Sequence, residues 1–188
     1  MGCPTKQGAG GAIGAVPEGD GQRTAPRLTS EQVWRALARV SFAVLAYVTP
    51  SGEPRSSGVV YKAVGRRLFV VVAPDSWKAK HIAASGRVAV TVPVRRGGIL
   101  SLVVAIPPAT ISFQGTATVY PPGSPQLRSL PKELMALLPA ERRAEGSVIE
   151  IVPERTFVTY GLGVPLMKMA DPDAARGRVA VRREGEPR

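Results

Sequence analysis

At 188 residues, with 44% hydrophobic residues, 20 glycines and 18 prolines, the chain suits one globular domain with tails and turn-rich punctuation. Its single cysteine, Cys3, excludes an intrachain disulfide and a cysteine-rich metal site, and its single histidine, His81, excludes histidine-based zinc motifs. A formal charge of +11 suits a nucleic-acid partner, a small anionic ligand, or simply a basic solvated surface.

Residues 1–26 are rich in glycine, alanine and proline, lack any periodicity and read as a disordered arm ahead of a domain spanning 27–160. Thr29 with Gln32 three places on forms a capping-box pattern, and Val33, Trp34, Leu37 and Val40 follow at helical spacing, which predicts a short amphipathic helix over 30–39. Phe42–Val48 is an unbroken apolar run and predicts a strand buried on both faces. Thr49-Pro50-Ser51-Gly52 is a turn, Arg55–Val64 returns as a strand, and Gly65-Arg66 turns into Leu68–Ala73, giving a three-stranded antiparallel meander.

The next helix, predicted over 76–84 and stopped by Gly86, starts at Asp75 or Ser76 and carries Lys78 and Lys80 in its first turns. Cations at that end oppose the helix dipole and cost a few tenths of a kcal/mol. Free amides, a hydroxyl and two ammonium groups at one helix start are what a phosphate requires. Ser76 serves there as N-cap with its own backbone N–H left free. The segment is therefore read as an anion cradle for a cofactor phosphate. Its bland alternative is a pair of solvated lysines.

Arg87–Val94 is the following strand, Arg95–Gly98 a turn, and Ile99–Ile106 an apolar tract that suits strand, buried helix or interface. Thr110–Tyr120 alternates as a long strand, Ser129–Leu138 has helical leucine spacing, and Ser147–Tyr160 is the last predicted strand. The tail, 161–188, is irregular apart from a turn of helix after Asp171-Pro172. The order of these elements predicts a mainly β fold: a six-stranded antiparallel split β-barrel with a few short helices.

No acidic residue lies between Asp75 and Glu133, whereas Lys78, Lys80, Arg87, Arg95, Arg96, Arg128 and Lys132 do. Aromatic residues are only 5% of the chain, too few for the stacking surfaces of a nucleic-acid binder, so a small anionic ligand is the favoured partner. The longest apolar run, Ile99–Ile106, falls far short of the ~20 residues that span a bilayer, and no leader pattern opens the sequence. Cytoplasmic location without a membrane partner is the expectation.

Leu45–Pro54, Val59-Val60-Tyr61-Lys62, Ser76-Trp77-Lys78-Ala79-Lys80-His81-Ile82 and Ile149–Arg155, in this order, resemble the FMN-binding split barrel of the pyridoxamine 5'-phosphate oxidase-like superfamily. That superfamily includes flavin and deazaflavin oxidoreductases, and the resemblance covers roughly residues 28–160. It implies that Ser76 and Lys78 contact the cofactor phosphate, with Lys80 or Lys62 as a further cation. Residues around Ser57–Val60, Val59 among them, would line the isoalloxazine ring. Trp77, beside the lysines, suits the cofactor edge as well as a core or interface position. Ser57 stands where the oxidases carry a phosphate-binding arginine, and the oxidases' C-terminal substrate motifs are absent. The vitamin reaction is accordingly not implied.

The resemblance further implies a homodimer, with the site between two subunits, acting on a small-molecule substrate. FMN is the expected cofactor and a deazaflavin the alternative. A non-catalytic flavin or haem carrier, or a nucleic-acid-binding barrel, are readings of other classes. The flavin itself performs hydride transfer, which fits a chain without a legible acid/base pair; no catalytic residue is assigned.

Overall fold

A computed structural model describes residues 28–73, 75–95, 107–128, 146–169 and 171–182. The arm 1–26, the basic turn from Arg96 onward, the Ile99–Ile106 tract and the predicted helix Ser129–Leu138 lie outside the described residues.

Helix α1 (Ser30–Ala38) has the predicted capping box, Thr29 and Gln32 each closing on the other's backbone. Strands β1 (Phe42–Val48), β2 (Pro54–Val64) and β3 (Arg67–Val72) form the meander, followed by α2 (Trp77–Ser85) and β4 (Arg87–Val94). Then come β5 (Ala109–Tyr120), the short α3 (Pro125–Arg128) and β6 (Ser147–Tyr160). The strands run β3-β2-β1-β4-β5-β6 and close because β3 also pairs with β6. The mainly β, six-stranded antiparallel barrel expected from the sequence is therefore the observed one.

The tail departs from expectation. After the helical turn α4 (Pro172–Ala175), which Asp171 caps, Arg176–Ala180 forms a seventh strand, β7, paired to the last third of β6. Only Val179 of β7 is buried, so the segment lacks the apolar alternation by which a strand is recognised. Its order comes from free backbone groups at the end of β6.

Strand parity decides what each residue faces. On β1 and β2, Ala43, Leu45, Val59 and Tyr61 point inward and are buried. Phe42, Val44, Val48 and Val60 point outward and are 49%, 37%, 45% and 57% exposed. The expectation that β1 is buried on both faces thus fails for the single protomer, where one apolar face stays open. Inside, Trp34 stands edge-on to Phe157 at 5.4 Å, and Phe157 edge-on to Phe113 at 5.5 Å. The Tyr61 hydroxyl donates to the Leu37 carbonyl at 2.8 Å and fixes α1 over the barrel; burial pushes this phenol well above its ordinary range.

The β3–β6 closure is reinforced on the outside. Glu150, almost fully buried, accepts from Arg67 of β3 and from the Tyr120 hydroxyl of β5 at 2.5 Å. The Tyr120 phenol is raised above its usual value, first by this hydrogen bond and then by burial.

Candidate cofactor site

Helix α2 is packed on the barrel by Ala79 and Ile82, and Gly86 ends it at φ +64°. Gly86 N–H closes on the Ile82 carbonyl at 2.7 Å, as the left-handed glycine stop requires. Ser76 is the N-cap, but its side chain makes no capping hydrogen bond. Its amide is not free, contrary to the sequence reading: it donates to the Ala73 carbonyl at 3.1 Å. The free amides are those of Trp77, Lys78 and Ala79, which precede the first intrahelical bond, Lys80 N–H to the Ser76 carbonyl. No acidic residue occupies the first turn. Among the described residues, no carboxylate pairs with Lys78, Lys80 or Lys62. Three amides and an unused serine hydroxyl thus stand at one helix start, with Lys78 and Lys80 in its first turns.

The seven sequence-predicted residues do not form one cluster. Ser76, Trp77, Lys78 and Lys80 share the start of α2. Ser57 lies on the inner face of β2, and its hydroxyl is buried without a partner. Val59 is 6% exposed and belongs to the barrel core. Lys62 lies on the outer face of β2, at the opposite parity from Ser57 and Val59, and is exposed. Trp77 is 71% exposed, with the Lys80 ammonium 4.8 Å from its ring centre.

Two further residues complete this corner. His81, one turn along α2 from Trp77, has its ring centre 6.0 Å from that of Trp77 and 6.0 Å from that of Tyr47 on β1. Its Nδ1 is buried and has no hydrogen-bond partner. The i, i+4 spacing of Trp77 and His81 is readable in the sequence. The approach of Tyr47 is not, because it depends on how α2 crosses the barrel end. With free amides, a serine hydroxyl and lysines at the helix start, this corner suits an anionic ligand. The described residues contain no group of three or more histidine, cysteine or carboxylate side chains able to hold a metal ion.

No known family model matches the chain, and none of the curated proteins does. Solved structures do match. A FAD-binding protein from Mesorhizobium loti superposes with a TM-score of 0.54 at 17% identity, over 68% of this chain and 90% of that one. A candidate pyridoxamine 5'-phosphate oxidase from Listeria innocua gives 0.50 at 18% identity, over 67% and 94%. The haem-binding protein from Mycobacterium smegmatis gives 0.55 at 18% identity, over 72% of this chain but 55% of that one.

The chain has the split-barrel fold. The resemblance carried by the sequence motifs therefore holds for the architecture, which flavin-binding and haem-binding proteins share. No helix among the described residues is long and apolar enough to cross a membrane.

Proposed function

We propose that the protein is a homodimeric, FMN-binding oxidoreductase that transfers a hydride between the flavin and a small substrate. The observation that carries this reading is the start of α2, where uncapped amides stand beside lysines that, among the described residues, have no carboxylate partner. Such an arrangement is unfavourable unless an anion occupies it. FMN, when bound, supplies the redox chemistry.

The protein's own groups bind and orient. The amides of Trp77, Lys78 and Ala79 and the Ser76 hydroxyl would receive the phosphate, and Lys78 and Lys80 would neutralise its charge. Trp77 would shield the cofactor edge from water. The outward apolar residues Phe42, Val44, Val48 and Val60 support the second part of the proposal, since a strand with two apolar faces is suited to cover on both. A second copy seated on β1 and β2 provides that cover.

The test is the absorption spectrum of the purified protein, followed by titration with FMN, deazaflavin and haem. Flavin absorption bands in the purified protein, or quenching of added FMN, support the reading. A Soret band alone, or indifference to every flavin, removes it. Val60→Glu should convert a sedimenting dimer into monomer.

A further inference from the structure

Strand β7 joins β6 along one edge and, among the described residues, pairs with no strand along the other. The bonds at its ends fix the direction of its backbone groups. Val181 N–H donates to the Arg155 carbonyl at 2.8 Å, and the Ala175 carbonyl accepts from Gly161 N–H at 2.8 Å. Such bonds alternate in an antiparallel pair, so Gly177 and Val179 turn their backbone groups to β6, and Arg176, Arg178, Ala180 and Arg182 turn theirs away. Both ends of this outer edge are occupied. Arg176 N–H donates to the Pro172 carbonyl of α4, and Arg182 N–H to the Ser30 hydroxyl at 3.3 Å. The Arg182 carbonyl accepts from the Arg66 guanidinium at 3.0 Å. Between these ends the Arg176 carbonyl and the N–H and carbonyl groups of Arg178 and Ala180 have no partner among the described residues. The edge is closed at both ends and open in the middle.

The same alternation puts Arg176 and Arg178 on the outer face, opposite Tyr160 and Val158 of β6, with Val179 buried on the inner face. Both arginines are exposed, and neither has a carboxylate partner among the described residues. We propose that the open edge of β7 is the docking site for an extended acidic segment of a partner protein. The segment adds as a further strand and sets carboxylates, two positions apart, against Arg176 and Arg178. Strand addition of this kind draws affinity from main-chain bonds and specificity from alternate side chains. Charge complementarity selects the occupant, since opposite charges attract across a strand pair and like charges repel. A second β7 laid antiparallel about Arg178 would set that arginine against its own copy, so the edge resists self-pairing. A nucleic acid would use the two guanidinium groups but gain nothing from main-chain donors and acceptors at strand spacing. The closed ends confine the added strand to the span Arg176–Ala180.

The test uses the full-length protein and a fluorescent peptide of alternating glutamate and valine, followed by anisotropy and by amide NMR. The peptide should bind, and the amides of Arg178 and Ala180 should shift and gain protection from hydrogen exchange. Exchanging the peptide's glutamates for lysines should abolish binding. Arg176→Glu combined with Arg178→Glu should weaken binding about 10-fold or more. Arg87→Glu, at an exposed arginine on β4, should leave it unchanged. A peptide N-methylated at its glutamates keeps its charge but cannot donate main-chain bonds to β7, and should weaken as much as the double variant. Absence of binding by the parent peptide, or binding that N-methylation leaves intact, overturns the proposal. So does preference for a single-stranded oligonucleotide over the peptide, which would assign the two arginines to nucleic acid.

Discussion

Helices α1 and α2 are each nine residues long and both pack on the barrel, yet they are built by opposite rules. In α1 the capping box is complete, Glu31 sits in the first turn, Arg35 in the last, and Ser30, Val33, Trp34 and Leu37 are buried. Every local preference agrees with the helix. In α2 the cap side chain is idle, the first turn holds lysine instead of acid, no basic residue serves the last turn, and only Ala79 and Ile82 are buried. One helix is optimised for holding the barrel together. The other forgoes those contributions at the end where a ligand would bind, and departures of this kind are characteristic of functional sites.

Substitutions can break this contrast. The largest effect is expected from Leu37→Ala in α1: Leu37 is fully buried, so about 2–5 kcal/mol of stability should be lost in urea unfolding, with flavin affinity of the folded fraction unchanged. Lys78→Ala in α2 should do the reverse. FMN affinity should drop 10- to 100-fold, about 1.5–3 kcal/mol, while the ligand-free protein holds its midpoint. Equal binding by this variant would remove the phosphate cradle.

The caps sharpen the comparison further. Thr29→Ala should cost about 1 kcal/mol, as loss of a working cap does, whereas Ser76→Ala should cost the free protein only a few tenths. If both cost the same, α2 is not the idle-capped helix described here.

The smallest effect concerns the phenol that seats α1. The Tyr61 pKa is raised above its ordinary 10.0 in the folded protein, and ionisation is the charged, disfavoured form. Its contribution to stability is therefore complete below pH 10 and lost as pH climbs past that value toward the folded-state pKa. Denaturation midpoints should slope downward above pH 10, and Tyr61→Phe should flatten part of that slope.

Much of this was legible in the residues. The elements of the barrel follow from alternation and turn chemistry, as at Thr49–Gly52, where Thr49 and Glu53 close the hairpin and Gly52 takes φ +87°. The start of α2 was visible because lysine at an N-terminus breaks a local rule. Three things were not. The paired state of Arg176–Ala180 depends on a free edge of β6, which no local pattern encodes. The parity of β2, which sends Val59 into the core and Lys62 to the opposite face, is set by register rather than composition. The meeting of Tyr47 with His81 requires the crossing of a helix over a strand far away in sequence.

Closure of the barrel has a kinetic consequence. The strand pair that completes it joins Leu68 to Ile151, and the Arg67–Glu150 bridge beside it spans 83 positions. During synthesis, β3 must wait with one edge unpaired until nearly the whole domain has emerged from the ribosome. Long-range pairings of this kind slow folding and leave a transient template for wrong partners. The charged Arg67 at the head of that waiting strand discourages such mispairing before it becomes the anchor of the finished seam.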